Sequence, residues 1–338
     1  MKILITGAAG FIGFHVAQKL LENNNNKIIG IDNLNKYYDP NLKIERLKIL
    51  KKSKNFFFKK IDITNKNKLI LFLKNKKIDY IIHLAAQAGV RHSLKFPQDY
   101  VDSNIIGFFN ILEFSRLIKV KHLLFASTSS VYGLNENFPF KENKVADHPI
   151  QFYAATKKSN EIMAHSYSYL YNLPITGCRF FTVYGPWGRP DMALFKFTKN
   201  ILNNKKIEVF NYGNHSRDFT YCDDLALIIK KLVFKIPKKN RKFNKKNPEP
   251  GASPGPFQIL NISSGKRVKL ISFIKELEKQ LKIKAKINLR PLQTGDIKDT
   301  LSSKYKIKKY ISFPEPTNYK KGIEKFILWY KSYHHILS

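Results

Sequence analysis

Lys2-Ile3-Leu4-Ile5-Thr6-Gly7-Ala8-Ala9-Gly10-Phe11-Ile12-Gly13 is a short apolar run that passes at once into three regularly spaced glycines. Lys2–Thr6 has the length and composition of a buried strand, and Phe11–Leu21 repeats its apolar residues at helical intervals. Glycine lacks a Cβ, so the turn between them can be tight and its backbone amides can approach a pyrophosphate at the positive end of the helix. The spacing G-x-x-G-x-x-G differs from the commoner G-x-G-x-x-G, and a purely structural turn would use the same residues. Its place between a strand and a helix favours the dinucleotide reading.

The pattern then repeats. A strand over Lys27–Ile31 ends in Asp32, close to the offset of about 20 residues expected of an acid that binds a ribose. A carboxylate there accepts bonds from both ribose hydroxyls and repels a 2′-phosphate, which favours NAD over NADP. Strand Asn55–Ile61 leads to Asp62 and Ile63, a contact for the adenine, and strand Ile78–Leu84 to the small Ala85 and Ala86. A long helix is expected over Asp99–Lys119 and a strand over Lys121–Ala126. Strands alternating with helices predict an α/β fold with a doubly wound parallel sheet of Rossmann type. The hydroxyl cluster Ser127-Thr128-Ser129-Ser130 then falls at the carboxyl end of a strand, where ligands bind in such sheets.

Tyr153 and Lys157 lie four residues apart in a stretch without helix breakers, so they share one helix face. A free tyrosine titrates near 10 and is a poor base at neutral pH. A neighbouring ammonium and a cationic nicotinamide would stabilise the phenolate; lowering the pKa by about three units needs roughly 4 kcal/mol. Tyr153 could then accept a hydroxyl proton while hydride leaves the same carbon. Many such pairs on helices only pack and solvate.

The 338 residues suffice for a substantial core, and 43% apolar content is ordinary for a globular protein. The chain starts directly in a strand, without a signal-peptide pattern, and no apolar run approaches a membrane span. Cys178 and Cys222 lack metal-ligand spacing, so no metal is expected, and buried thiols in a reducing cytoplasm fit best. The net charge of +35 raises the question of nucleic acid, but its lysines are spread over every segment and arginine is scarce. A solvated surface is the simpler reading, with a field that favours an anionic small substrate.

Taken together, the glycine triplet, Asp32, the cluster before Val131-Tyr132-Gly133 and Tyr153…Lys157 resemble an extended short-chain dehydrogenase/reductase. Within that family, Gln87-Ala88-Gly89-Val90-Arg91-His92-Ser93, Arg179 through Ala193, and Arg217-Asp218-Phe219-Thr220-Tyr221 are similar to the UDP-glucuronate 4-epimerases. The resemblance implies NAD-dependent epimerisation of UDP-glucuronate to UDP-galacturonate through a 4-keto sugar, with Tyr153, Lys157 and Thr128 catalytic. It implies a cofactor site of Gly7, Gly10, Phe11, Ile12, Gly13, Asp32, Asn33, Asp62, Ile63, Leu84, Ala85, Ala86, Asn104, Tyr153, Lys157 and Phe181. For the substrate it implies Arg189, Thr182, Ser129 and Arg91 near the uronate, with Ser130 also in the substrate site. Arg217 and Arg290 would hold the diphosphate, Asp296 the ribose, and backbone groups near Val209 the uracil. It also implies a homodimer built on the helices Asp99–Lys119 and Tyr153–Tyr171, with no membrane or dedicated nucleic-acid partner.

The expected division is a cofactor domain over 1–181 with a return near 214–235, interleaved with a UDP-sugar lobe over 182–338 that carries an exposed basic insert at 235–256. Asp223-Asp224 reads as a helix N-cap rather than a metal site. Rival chemistries remain open: a 4-epimerase of another UDP-hexose, a UDP-glucuronate decarboxylase, or a basic RNA-binding protein on a cofactor fold. Related dehydratases carry an acidic pair after the catalytic hydroxyl and decarboxylases a glutamate nearby; Ser129 and Ser130 stand there instead, which favours epimerisation.

Overall fold

In the computed structural model, which describes residues 1–312 and 315–336, β1 (Lys2–Thr6) runs into α1 (Phe11–Leu21) through the glycine turn. The alternation continues with β2 (Lys27–Asp32), α2 (Pro40–Leu50), β3 (Phe56–Lys60), α3 (Lys66–Leu73) and β4 (Tyr80–His83). Asp39 caps α2 by accepting from the Asn41 N–H, with Pro40 in the first turn, and Asn65 caps α3 through the Lys68 N–H. Next come α4 (His92–Lys95), α5 (Pro97–Tyr100), a π-helical stretch Val101–Ile106, α6 (Gly107–Leu117), β5 (His122–Thr128), α7 (Phe152–Tyr171) and β6 (Ile175–Phe180).

The second half supplies β7 (Thr182–Tyr184), α8 (Ala193–Leu202), β8 (Ile207–Val209), β9 (Ser216–Tyr221) and α9 (Cys222–Leu232). It continues with β10 (Phe257–Ile262), β11 (Arg267–Lys269), α10 (Leu270–Leu281), β12 (Ile287–Leu289), α11 (Tyr305–Lys308) and α12 (Tyr319–Tyr333). Seven parallel strands form the main sheet in the order β10-β6-β5-β4-β1-β2-β3; β11-β9-β7 and β12-β8 form two small sheets. The strand order reverses between β1 and β4, so a crevice opens beyond their carboxyl ends. Ile3, Ile5, Ile82 and Leu124 fill one face of the sheet and Leu4, Ile81, Leu123 and Phe125 the other, as expected of strands covered on both sides.

Three expectations need correction. Asp99–Lys119 is not one regular α-helix. The π-helical stretch holds the wholly interior Asn104, which accepts from the Gln87 N–H at 2.9 Å and donates to Thr156 Oγ1 at 3.0 Å. The return to the main sheet also lies further along than 214–235: β9 belongs to a small sheet, and the seventh strand is β10, buried at every position. Residues 257–262 therefore fall outside a separate lobe, while α9 buries Leu225, Ile228, Ile229 and Leu232 in the core that contains Phe14 and Leu20 of α1. The basic insert is exposed over most of 238–249, but Ser253 and Gly255 are buried on the way into β10.

Candidate active site

Two adjoining cavities open beyond the carboxyl ends of the strands, one of about 340 Å³ and one of about 520 Å³, and both are lined by Tyr37, Thr182 and Arg189. The first runs along the glycine turn. Gly7 sits at φ +71°, and a Cβ there would lie 2.7 Å from the Ala85 amide nitrogen; at Gly13 it would lie 2.1 Å from the Gly7 carbonyl oxygen. Side chains at either position would close the turn against β4 or against itself. Gly10 caps α1 without a side-chain hydrogen bond, so the amino-terminal N–H groups of the helix remain available to an anion.

Asp32, nearly buried, accepts from the Leu34 N–H at 2.8 Å through one oxygen and from the Ala9 N–H at 3.2 Å through the other. Burial raises its carboxyl pKa, and the Lys43 ammonium opposes that shift. Asn33 donates to Asp62 at 2.9 Å, joining the ends of β2 and β3. Phe11, Ile12, Asn33, Asp62, Ile63, Leu84, Ala85, Ala86 and Phe181 line the same cavity. Asn104 lies behind it and holds the backbone of Gln87, which does line it. The glycine cradle, the uncapped helix end and the Asp32 carboxylate fit a dinucleotide: phosphates over α1 and a ribose at β2.

Tyr153, Lys157 and Thr128 meet at the other end of this cavity. The Thr128 hydroxyl donates to Ser130 Oγ at 3.2 Å, accepts from the Ser130 N–H at 3.2 Å, and acts on Tyr153 to favour its ionised form. The protein's own groups, taken by themselves, do not depress the phenol. Burial raises the Tyr153 pKa, with the Arg189 charge and Thr128 opposing, while burial pushes Lys157 down to about 7 against the pull of Glu161. Both groups lose water on folding, and that loss outweighs their neighbours. Glu161 continues the Tyr153–Lys157 face of α7, accepting from Ser127 at 2.6 Å and from Arg179 at 2.8 and 2.9 Å. The repeated interval of four was the signal for it in the sequence.

Ser129, Ser130, Thr182 and Arg189 line the first cavity; Arg91, Arg217 and Asp296 line the second. Arg91 pairs with Asp296 at 3.2 Å and lies over the Phe210 ring at 4.6 Å. Arg217 donates to the carbonyls of Ser216 at 3.0 Å and Lys298 at 2.6 Å, joining β9 to the segment after Asp296. Val209 is wholly buried and its carbonyl accepts from the Arg290 N–H at 2.9 Å. The Arg290 side chain pairs with Glu208 at 2.6 Å. Neither Val209 nor Arg290 is among the residues lining the two cavities.

The expected N-cap at Asp223-Asp224 is overturned: Tyr221 occupies that position, and both acids lie in the first turn of α9. Asp223 pairs with His15 at 3.1 Å and Asp224 accepts from the Thr317 N–H at 2.7 Å, so each ties α9 to another part of the chain. His15 also meets the Pro186 carbonyl at 2.9 Å, and the wholly buried Arg46 donates to the carbonyls of Ala9 at 2.9 Å and Trp187 at 2.5 Å. The turn that precedes Arg189 is thereby anchored to the cofactor half. These contacts have no motif in the sequence, because each joins residues that only the fold brings together.

The family model described as "NAD dependent epimerase/dehydratase family" matches residues 3–244. "Protein CapI" of Staphylococcus aureus is 48% identical over 334 residues, covering 99% of each chain. A "Probable UDP-glucuronate 4-epimerase" of Rhizobium meliloti is 44% identical over 331 residues, covering 98% of this chain and 97% of its own. The crystal structure of UDP-glucuronic acid 4-epimerase from Bacillus cereus, in complex with UDP-glucuronic acid and NAD, superposes with a TM-score of 0.87 at 33% identity. That likeness covers 98% of this chain and 100% of the other.

Proposed function

Because the chain belongs to the NAD dependent epimerase/dehydratase family, we propose that it interconverts UDP-glucuronate and UDP-galacturonate by inverting C4 of the sugar. The observation that carries this reading is Arg189, a cation in the wall of the reacting cavity beside Thr182, Ser129 and Ser130, where a sugar carboxylate needs charge and hydroxyl donors. Gly7, Gly10, Gly13 and Asp32 would hold NAD, with Asp62 at its adenine end. NAD, when bound, supplies oxidation at C4 and the reduction that reverses it.

Tyr153 takes the C4 hydroxyl proton and, once the 4-keto sugar has turned its other face to be reduced, returns a proton to the C4 oxygen, which Thr128 holds between the two events. Burial raises the phenol's pKa, and the Arg189 charge and the Thr128 hydroxyl oppose that shift and ease the loss of its proton. Ser129 and Ser130 place no carboxylate beside the reacting carbon, so neither elimination of water nor loss of the sugar carboxylate has an acid–base partner there. Arg91, Arg217 and Asp296 in its wall support the second cavity as the site for the diphosphate and uridine.

We place the reaction in the cytoplasm, where Cys178 and Cys222, both free and buried, stay reduced. Among the described residues no helix is long and apolar enough to cross a membrane. The assembly we propose is a homodimer through the exposed apolar side chains of α6 and α7.

The test is direct. Incubated with UDP-glucuronate and followed by NMR, the protein should produce UDP-galacturonate until the two epimers equilibrate. Tyr153→Phe should bind UDP-glucuronate with little change in Kd and turn it over about 10²–10⁴-fold more slowly. A preference for UDP-glucose would overturn the uronate assignment.

A further inference from the structure

Arg189 reaches the cavities already engaged along one edge. Its Nε donates to Asp191 Oδ1 at 2.9 Å and its Nη2 to Asp191 Oδ2 at 2.7 Å. The Tyr37 hydroxyl donates to the same Oδ2 at 3.1 Å. Among the described residues, Arg189 has no further hydrogen-bond partner, which leaves Nη1 and the outer N–H of Nη2 to a ligand. Tyr37 comes from the loop that follows the ribose-side Asp32, and its ring packs edge-on against His92 at 4.8 Å. Gly89, at φ +107°, makes room for it, since a Cβ there would sit 2.2 Å from the Tyr37 oxygen.

We propose that Asp191, steadied by Tyr37, is a positioning residue that aims the free edge of Arg189 at C6 of the sugar and makes the site select a carboxylate there. The inference rests on the reading of UDP-glucuronate as substrate and adds to it the residues that set the discrimination. An arginine side chain has many rotamers, and its planar fork recognises a carboxylate only in the correct plane. Two parallel bonds to Asp191 fix that plane before the sugar arrives. Asp191 also offsets one positive charge, so by charge alone it weakens an anionic ligand. Aim and charge therefore predict opposite signs when Asp191 is neutralised.

Kd for UDP-glucuronate and for UDP-glucose would be measured by calorimetry for wild type, Asp191→Asn and Tyr37→Phe, with KM and kcat for UDP-glucuronate alongside. Asp191→Asn should weaken UDP-glucuronate about tenfold or more and raise its KM in parallel, while UDP-glucose changes by less than about twofold. Tyr37→Phe should act in the same direction with a smaller factor. Tighter binding of UDP-glucuronate by Asp191→Asn would overturn the inference and leave Asp191 a counter-charge only. Equal loss for both sugars, with a lowered Tm, would overturn it in favour of a structural role. If wild type prefers UDP-glucuronate and neither variant changes the preference, this inference alone fails; if wild type prefers UDP-glucose, the substrate reading fails first and takes the inference with it.

Discussion

Lys157 is the residue at which stability and function pull in opposite directions. It is almost completely buried, and its pKa stands near 7 where an unfolded lysine titrates near 10.5. The folded pKa is depressed, so between those two values the unfolded chain binds more protons and stability rises with pH; below pH 7 the cost of the buried ammonium is present in full. The difference of about 3.5 units sets an upper bound of about 5 kcal/mol on that cost. Lys157→Met should therefore raise the Tm at pH 6, raise it progressively less as the pH approaches 10, and abolish most turnover. Thermal unfolding across that range measures it, and a Tm gain that does not shrink with pH would refute the assignment. The Tyr153–Lys157 spacing was legible in the sequence; the direction of the pKa shifts was not, because burial is a property of the closed fold.

Along the elements, the sequence is most legible where one local pattern decides the outcome. The strand–glycine–helix unit at 2–21 and the helix carrying Tyr153 were plain from spacing, since periodicity and breakers lie within one stretch of sequence. The π-helical stretch at Val101–Ile106 was invisible, because its cause is Asn104 bonding to Gln87 and Thr156 on other segments. Arg46 and His15 escaped for the same reason, as did the sheet that receives β10, since a strand's apolar run does not name its neighbours. The proposed dimer belongs to this scale too. α7 leaves Ile162, Tyr169 and Leu170 exposed at 61%, 56% and 64%, and α6 leaves Phe109 and Leu117 at 39% and 55%. Such an array on neighbouring helices is the surface the proposed interface would cover. Replacing Ile162 and Leu170 by Glu should convert a dimer to a monomer by light scattering while circular dichroism keeps the native helix signal. A wild-type monomer at micromolar concentration would dispose of the interface.

At the scale of the whole molecule, the net charge of +35 acts on every anion that approaches. UDP-glucuronate carries a diphosphate and a carboxylate, so its encounter with the protein is accelerated by this field and slowed when salt screens it. Screening becomes effective once the Debye length, about 10 Å at 0.1 M, falls below the separation of surface charges from the cavity mouth. The same salt relieves repulsion among the lysines and stabilises the fold. kcat/KM for UDP-glucuronate should thus fall several-fold between about 0.02 and 0.3 M sodium chloride while the Tm rises over the same range. UDP-glucose, lacking the carboxylate, should show a shallower decline in binding. Arg189 lies inside the cavities, where salt screens it less than the surface lysines, so kcat at saturating UDP-glucuronate should stay nearly flat. A kcat that drops in step with kcat/KM would mean that the salt acts on the chemistry at Tyr153 rather than on approach, and the surface lysines would then have no part in capturing the substrate.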